Sequence, residues 1–323
     1  FIMNTYKQMI KYDIQFDFLV FHQREQFFEQ DIAVLGGKIY KLPSRRDGYF
    51  RMRNALKKFF NEHDYKVVHY ETSSLSFLEP LEIAYKTGVP IRIVHSHSTN
   101  APGNRMHYYL HKLNKRKINE LATHYFACGE LAGKWMFGNT KCEKEVVLIN
   151  NGIDTASFNY NEEIRNKMRQ TLGLEDAFVV GQVGRISNVK NHQFSLHVFK
   201  EVLRQNSSEK SIFLVVGDGD LRNDIENKAR ELEIEKNVLF LGARGDVSEL
   251  MQAMDALILP SLYEGFPVTA IEGQAAGLPC FLSDTITKDA LLKENTYMLS
   301  LDDDVSKWAA AILENRNREP DNK

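Results

Sequence analysis

The chain has 323 residues, of which 43% are hydrophobic and 26% charged, and its formal net charge is −2. This composition is ordinary for a globular enzyme, and the absence of any apolar run near the roughly 20 residues that cross a bilayer argues against a membrane span. The length exceeds the usual size of one hydrophobic core and therefore predicts two domains.

Charge and cysteine content indicate the kind of partner and compartment. Residues 1–160 contain 22 Lys and Arg against 16 Asp and Glu, whereas the remainder contains 19 against 27. A basic half joined to an acidic half predicts that one domain faces an anionic partner. Cys128, Cys142 and Cys280 have no metal-ligand spacing and cannot all pair, which favours a reduced, cytoplasmic protein.

Short apolar runs rich in β-formers alternate with amphipathic stretches over the first half of the chain. The amphipathic stretches at 49–62 and 105–121 predict helices. The predicted strands span residues 16–20, 38–42, 67–70, 91–95, 124–127 and 146–149. Strands separated by helix-length segments predict βαβ units and a parallel sheet covered by helices on both faces.

The same alternation restarts after a polar stretch at 159–170, whose composition predicts an interdomain link. The acidic run Asp302, Asp303 and Asp304 is typical of the N-terminus of a last helix. Predicted elements follow at 178–183, 191–204, 212–216, 221–231, 238–241, 247–254, 256–259 and 267–276. The prediction is an α/β protein of two Rossmann-like, doubly wound domains, 1–158 and 159–323, whose strand ends face each other across a cleft.

The first candidate binding segment spans 184–192 and follows the apolar strand at 178–183. A glycine turn that leads into a helix brings backbone N–H groups towards an anion. Arg185 adds a planar guanidinium fork and Lys190 a mobile point charge, so the pair suits a diphosphate. The alternative is a pair of solvated surface cations.

The second segment spans 261–273, after the strand at 256–259. Gly265 lets a ligand approach the backbone, and Pro267 suits the first helical turn. Glu264 lies on the loop, whereas Glu272 lies in a largely apolar helix, where a carboxylate is costly without partners. The two hydroxyls of a ribose would be suitable partners for Glu272. The alternative places Glu272 on the wet face of the helix.

Two further segments are weaker signals. His95 and His97 follow the strand at 91–95, where a histidine can donate to a substrate or carry a proton. His-x-His could also bind a metal, but the sequence shows no third ligand at convincing spacing. In the segment 217–220 we interpret Gly217 and Gly219 as making room for a nucleotide, and the aspartates as structural, since loop aspartates before a helix are commonly caps. Arg222 stands where a dinucleotide fingerprint needs glycine.

Basic stretches with aromatic residues at 45–60 and 105–117 could lie on an anionic membrane. The alternative is a solvated helix face with an ordinary core stripe. Nucleic acid is disfavoured because the chain as a whole is slightly acidic.

Taken together, these segments resemble the family 4 retaining glycosyltransferases, which have the GT-B fold. The resemblance spans essentially the whole chain, and its strongest part is a Glu-x7-Glu motif. Its carriers are Asn151-Gly152-Ile153-Asp154, Gly184-Arg185, Lys190-Asn191, Val216-Gly217-Asp218-Gly219, Phe240-Leu241-Gly242, and Pro260-Ser261-Leu262-Tyr263-Glu264-Gly265-Phe266-Pro267 with Glu272. Residues 16–20 and 91–98 look most like bacterial members that build capsular or exopolysaccharide chains on lipid-linked acceptors at the inner membrane face.

The resemblance implies roles that agree with this chemistry. Arg185 and Lys190 would hold the donor diphosphate and stabilise charge on the leaving group. Glu272 would bind ribose, and His97, with His95 as the alternative, would contact the sugar near the reacting carbon. Family members usually retain anomeric configuration and need no metal or other cofactor. The remaining donor contacts would be Glu264 with the backbone of Gly265, Phe266 and Pro267, and at the nucleobase Arg244.

Family members normally open with a β-strand and a glycine-rich loop over the donor phosphates. This chain opens at Phe1-Ile2-Met3-Asn4, which resembles the helix just beyond that loop. The prediction is therefore an N-terminal domain without its first strand and that loop. The leading function is transfer from a nucleotide diphosphate sugar, with UDP favoured, to a glycan acceptor. The alternatives are a GT-B nucleotide-sugar epimerase and a non-catalytic nucleotide-sugar-binding protein.

Overall fold

The computed structural model describes residues 2–23, 28–100 and 105–315. It divides into two compact units, Phe1–Gly152 and Ile153–Lys323. The sequence-based boundary after residue 158 lies a few residues further along the chain. The helix expected at the start of the chain is present as α1 (Ile2–Met9), and Phe1 itself is outside the described residues.

The described part of the first unit contains two parallel sheets. One pairs β1 (Phe18–Val20) with β2 (Ile39–Lys41). The other has the strand order β3-β4-β5-β6, formed by Val67–Thr72, Ile91–Ser96, His124–Ala127 and Val146–Leu148. Every predicted strand of this half is present, and where the ends differ they shift by one or two residues. The apolar runs were sufficient to locate them because strands of parallel sheets are rich in apolar residues.

The helices of the first unit correct one prediction. The stretch 105–121 is two helices rather than one, because the chain turns at Lys117. The turn brings Ile118 and Leu121 into the core beneath the sheet, whereas Leu113 stays 64% exposed. These two helices are α5 (Arg105–Asn114) and α6 (Ile118–Leu121). The unit also contains α2 (Glu29–Val34), α3 (Tyr49–Glu62), α4 (Glu79–Lys86), α7 (Glu130–Phe137) and α8 (Asn139–Glu145).

The second unit is built on one six-stranded sheet with the order β12-β11-β10-β7-β8-β9. All its neighbouring strands are parallel. The direction in which the chain adds strands reverses between β7 and β10, so this position is the topological switch point, where such sheets bind ligands. The strands are β7 (Phe178–Val183), β8 (Ser211–Val216), β9 (Val238–Gly242), β10 (Ala256–Leu259), β11 (Cys280–Ser283) and β12 (Thr296–Leu299).

The central strands of this sheet are buried on both faces. Alternate residues of β7 belong to two different apolar clusters, with Val179 and Val183 in one and Phe178 and Val180 in the other. Helices cover both faces, and they are α10 (His192–Gln205), α11 (Arg222–Glu231), α12 (Val247–Ala253), α13 (Val268–Ala275) and α14 (Val305–Glu314). The sheet is therefore rigid, and the loops at its carboxyl edge start from fixed points.

The polar stretch at 159–170 is not a link, as its composition predicted, but most of helix α9 (Glu162–Leu172). The Asn161 side chain caps it by accepting from the Ile164 N–H at 3.1 Å. Arg165 and Arg169 of this helix form ion pairs with Asp255, so these two charged side chains have their partner within the second unit.

Two further predictions concern the start of the last helix and the absence of a membrane span. Asp304 caps α14 by accepting from the Ser306 N–H at 2.8 Å, which confirms the acidic run as the start of a last helix. Among the residues described, no helix is both long and apolar enough to cross a membrane.

Candidate active site

Two loops meet at the switch point of the second unit, and they carry most of the predicted site residues. The loop after β7 covers 184–190, and the loop after β10 covers 260–267. The Leu262 N–H donates to the Val189 carbonyl at 2.8 Å, which joins the loops directly. The buried Gln182 amide donates to the Lys190 carbonyl at 2.7 Å and holds the first loop against its own strand.

Lys190 and Glu264 form an ion pair between these loops. The Lys190 Nζ lies 2.6 Å from the Glu264 Oε1, and the two side chains are only 18% and 15% exposed. A lysine ammonium can exchange its carboxylate partner for a phosphate oxygen, since both are anionic acceptors. The structure thus brings together two predicted residues that stand 74 positions apart in the chain.

Gly217 and Gly219 are explained by the neighbouring loop after β7. Gly217 has a φ of +137°, and a Cβ there would lie 2.1 Å from the Gly184 carbonyl oxygen. A Cβ on Gly219 would lie 2.1 Å from the Ile186 carbonyl oxygen. The glycines therefore let two strand-end loops pack backbone to backbone, and their predicted contact with a nucleotide stays a prediction.

Arg185 and Arg244 lie on loops at the same carboxyl edge, and each pairs with an aspartate, which is exposed at Asp220 and partly exposed at Asp246. Arg185 Nη2 is 2.9 Å from the Asp220 carboxylate, and the arginine side chain is 69% exposed. Arg244 binds Asp246 at 2.5 Å in the loop after β9. Exposed pairs of this kind contribute little to stability, so both guanidinium groups can exchange their partner for a ligand.

The prediction that the loop aspartates cap the following helix was wrong. The residue before α11 is Leu221, and no side chain caps that helix. Asp218 instead accepts from the Gly219 N–H at 2.8 Å, and Asp220 binds Arg185. Short loops with tightly packed glycines hold these carboxylates away from the helix N–H groups.

Glu272 lies in α13, which begins at Val268 directly after the buried segment Gly265, Phe266 and Pro267. Burial raises the pKa of the Glu272 carboxyl, and the charge of Lys190 opposes the rise. A carboxyl with a raised pKa costs folding free energy while it is ionised, so the cost is present above that pKa and disappears as pH falls through it. A ligand that donates two hydroxyls to Glu272 would offset this cost.

The two predicted histidines, His95 and His97, belong to a larger cluster on β3 and β4. His97 is hydrogen-bonded to the carboxylate of Glu71, and His95 Nδ1 lies 3.4 Å from the same oxygen. His69 completes the group, with its Nε2 3.3 Å from the other Glu71 oxygen. Burial alone would raise the pKa of Glu71, but hydrogen bonds from His95 and His97 outweigh it and lower that pKa to about 2.

The structure distinguishes His97 from His95, which the sequence left as alternatives for the active-site histidine. His95 is fully buried, whereas His97 is 22% exposed and is the one that a substrate could reach. Sequence reasoning missed Glu71 and His69 because it looked for a third group near 95–97 along the chain. The signal was present in His69-x-Glu71 at the end of the preceding strand, since parallel pairing aligns Glu71 with His95.

The fold matches those of solved GT-B glycosyltransferases. HepE from Anabaena, solved with UDP and glucose, has a TM-score of 0.74 at 19% identity, covering 92% of this chain and 81% of that one. A glycosyltransferase from Rickettsia africae has a TM-score of 0.73 at 15% identity, covering 97% and 82%. The two Rossmann-like units therefore have the fold of the GT-B glycosyltransferases.

Sequence comparison identifies the family. Residues 164–315 match the family described as glycosyl transferases group 1, and residues 1–157 match glycosyltransferase family 4. A putative glycosyltransferase, EpsF, of Bacillus subtilis is 36% identical over 96% of this chain and 82% of its own length. An Escherichia coli enzyme named UDP-Gal:alpha-D-GlcNAc-diphosphoundecaprenol alpha-1,3-galactosyltransferase is 29% identical over 77% of this chain and 66% of its own. This chain belongs to the family 4 glycosyltransferases.

Proposed function

We propose that this enzyme transfers a sugar, with retention of anomeric configuration, from a UDP-sugar to a polysaccharide or lipid-linked glycan acceptor. The observation that carries the proposal is the Lys190–Glu264 pair between two loops at the switch point. The names of relatives support the chemistry, since HepE was solved with UDP-glucose and the Escherichia coli relative is named for a lipid diphosphate acceptor.

In the proposed reaction, the bond between the anomeric carbon and the diphosphate oxygen breaks, and the oxygen of an acceptor hydroxyl forms the new bond to that carbon. The hydroxyl proton passes to the departing diphosphate. Lys190 and Arg185 stabilise the negative charge that develops on the departing UDP. Glu264, with the backbone at Gly265, Phe266 and Pro267, holds the sugar. The transfer needs no metal in this proposal, because these cations supply the positive charge.

The remaining proposed contacts concern the nucleoside and the reacting carbon. Glu272 accepts hydrogen bonds from the ribose hydroxyls, which offsets the cost of its partly buried carboxylate. Arg244 lies against the nucleobase, and Gly217 and Gly219 leave the backbone accessible beside the diphosphate. His97, oriented by Glu71, contacts the sugar near the anomeric carbon.

A thermal-shift and product assay on the full-length protein tests this function. UDP at about 100 times its Kd should stabilise the wild-type protein by ~2.7 kcal/mol, because ligand that binds only the folded state stabilises it. Glu272→Ala should abolish the shift, whereas Glu163→Ala, an exposed glutamate of α9, should keep it. If no nucleoside diphosphate shifts the wild-type protein, the proposed donor site is wrong.

The same assay separates the alternative functions. Epimerised free nucleotide sugar formed without any acceptor would favour an epimerase. Binding without turnover across a broad panel of acceptors would favour a non-catalytic nucleotide-sugar-binding protein. Glycosylated product, with the linkage configuration of the donor, is the result expected here.

We also propose that the enzyme works in the cytoplasm, in peripheral contact with the inner face of the cell membrane. Support comes from α5, where Met106, Tyr109 and Leu113 are each more than 60% exposed and share one helical face. His111, on the opposite side, is fully buried and stacks on Trp135 at 4.2 Å. The basic stretches 45–60 and 105–117 would contact anionic headgroups beside this face.

Liposome co-sedimentation checks this contact. Binding should require anionic lipid and fall as salt rises, because exposed charges are screened beyond about 10 Å at 0.1 M. The double variant Tyr109→Ser with Leu113→Ser should lose most of the binding through lost apolar contact. Leu131→Ser, an isolated exposed leucine of α7, is the matched control. Binding that ignores both salt and lipid charge would contradict the proposal.

A further inference from the structure

Three side chains of the first unit converge at the carboxyl ends of β3 and β4. His69 and Glu71 are two residues apart on β3 and therefore lie on the same face of the sheet. The parallel register pairs Glu71 with His95 on β4, so His95 joins them on that face. The strands themselves, rather than flexible loops, set the positions of all three side chains.

Their separations match the coordination geometry of one metal ion. His69 Nε2 lies 3.2 Å from His95 Nδ1. His69 Nε2 lies 3.3 Å from Glu71 Oε1, and His95 Nδ1 lies 3.4 Å from Glu71 Oε2. Zinc binds nitrogen and oxygen at 2.0–2.2 Å, and in a tetrahedral site this places neighbouring ligand atoms roughly 3.3–3.5 Å apart. One ligand atom from each residue can be chosen so that all lie within 4.8 Å of one another.

The surroundings resemble those of a metal centre with one open side. His95 is fully buried, while His69 and Glu71 are 25% and 29% exposed. The ring of Phe126 packs edge-to-face against His69 and His95, with ring centroids 5.8 and 5.9 Å away. His97 is hydrogen-bonded to the Glu71 carboxylate, as the second shell of a metal ligand commonly is.

We propose that His69, Glu71 and His95 bind one Zn²⁺ ion, with the fourth coordination position open to water. Two imidazoles and one carboxylate form a ligand set that suits zinc, whereas Mg²⁺ and Ca²⁺ prefer oxygen ligands throughout. All three ligands belong to the first unit, whereas the residues proposed to bind the diphosphate belong to the second, and metal binding by these ligands does not depend on which donor is used.

The test uses full-length protein without an affinity tag, stripped of metal by a chelator. Equilibrium dialysis against ZnCl₂ should give one ion per chain, and CoCl₂ should give the visible spectrum of tetrahedral Co²⁺. His69→Ala and Glu71→Gln should each weaken Zn²⁺ binding at least tenfold, whereas His124→Ala, an exposed histidine of β5, should not change it.

The wild-type protein alone can overturn the proposal. Less than half an ion of zinc per chain at micromolar free Zn²⁺ would show that the cluster is only a hydrogen-bonded network. An octahedral Co²⁺ spectrum would overturn the proposed four-coordinate site. Unchanged Zn²⁺ affinity in a His69→Ala protein that circular dichroism shows to be folded would exclude these ligands as well.

Discussion

Replacing Lys190 with alanine is expected to weaken UDP binding roughly 10- to 150-fold, since a hydrogen bond to a charged group contributes ~1.5–3 kcal/mol. Turnover should fall further, on the order of 10²–10³, because the cation matters most when charge develops on the leaving diphosphate. Calorimetric titration with UDP and initial rates with the UDP-sugar measure the two effects. Lys200→Ala, an exposed lysine of α10, is the matched control.

The partner of Lys190 allows a sharper form of the same test. In the absence of donor, Glu264 holds the Lys190 ammonium at 2.6 Å and so competes with a diphosphate for it. Glu264→Gln should therefore keep or strengthen the binding of UDP, while it removes the extra affinity that the sugar gives to UDP-sugar. Equal affinity of wild-type and Lys190→Ala protein for UDP would refute the role of this pair.

The largest expected effect on stability is at Asp255. Its carboxylate accepts from Arg165 at 2.5 Å, from Arg169 at 3.2 Å and from the Val179 N–H at 2.7 Å. Asp255→Ala would leave the buried Arg169 guanidinium without its counter-charge, which typically costs ~3–5 kcal/mol. In a unit of this size that loss lowers Tm by roughly 6–20 °C.

Urea unfolding of the second unit, followed by circular dichroism, measures this cost. Asp176→Ala removes an exposed aspartate from the loop after α9 and should change the unfolding free energy by less than ~0.5 kcal/mol. Below its own Tm the Asp255→Ala protein should bind UDP as the wild type does, because Asp255 precedes β10 and the site follows it. A loss under ~1 kcal/mol would mean that the two arginines find other partners.

Sequence alone was sufficient for the parts of this fold that depend on local pattern. The run at 178–183 is mostly apolar because its strand is buried on both faces, and its bounds were predicted without error. Glu272 could be singled out because a glutamate within an apolar helix is unusual for its setting. Glu264 could be singled out because it lies in the loop that follows an apolar strand, where such sheets bind ligands.

What sequence missed depends on contacts between distant segments. The polar stretch at 159–170 has the composition of a link, and its partner Asp255 follows some ninety residues later. The strands β11 and β12 were not predicted, although Cys280 and Phe281 are fully buried. The carboxylate that orients His97 could be recognised only when β3 was placed beside β4, which requires the strand order as well as the strands.

The close backbone packing at Gly217 affects which parts of a donor molecule contribute to its binding affinity. The Gly184 N–H donates to Val216, the last residue of β8, at 2.9 Å, and the Ile186 N–H donates to Asp218 in the loop after β8 at 3.0 Å. The Gly217 N–H donates to Gly242, the last residue of β9, at 2.8 Å. The loops after β7 and β8 are thus fixed to each other and to the end of β9 before any ligand arrives, so little conformational entropy is lost there on binding. In the proposed donor site, we expect this preformed backbone to recognise the part of the molecule that all donors have in common. Discrimination between sugars must then come from side chains that can still change their position.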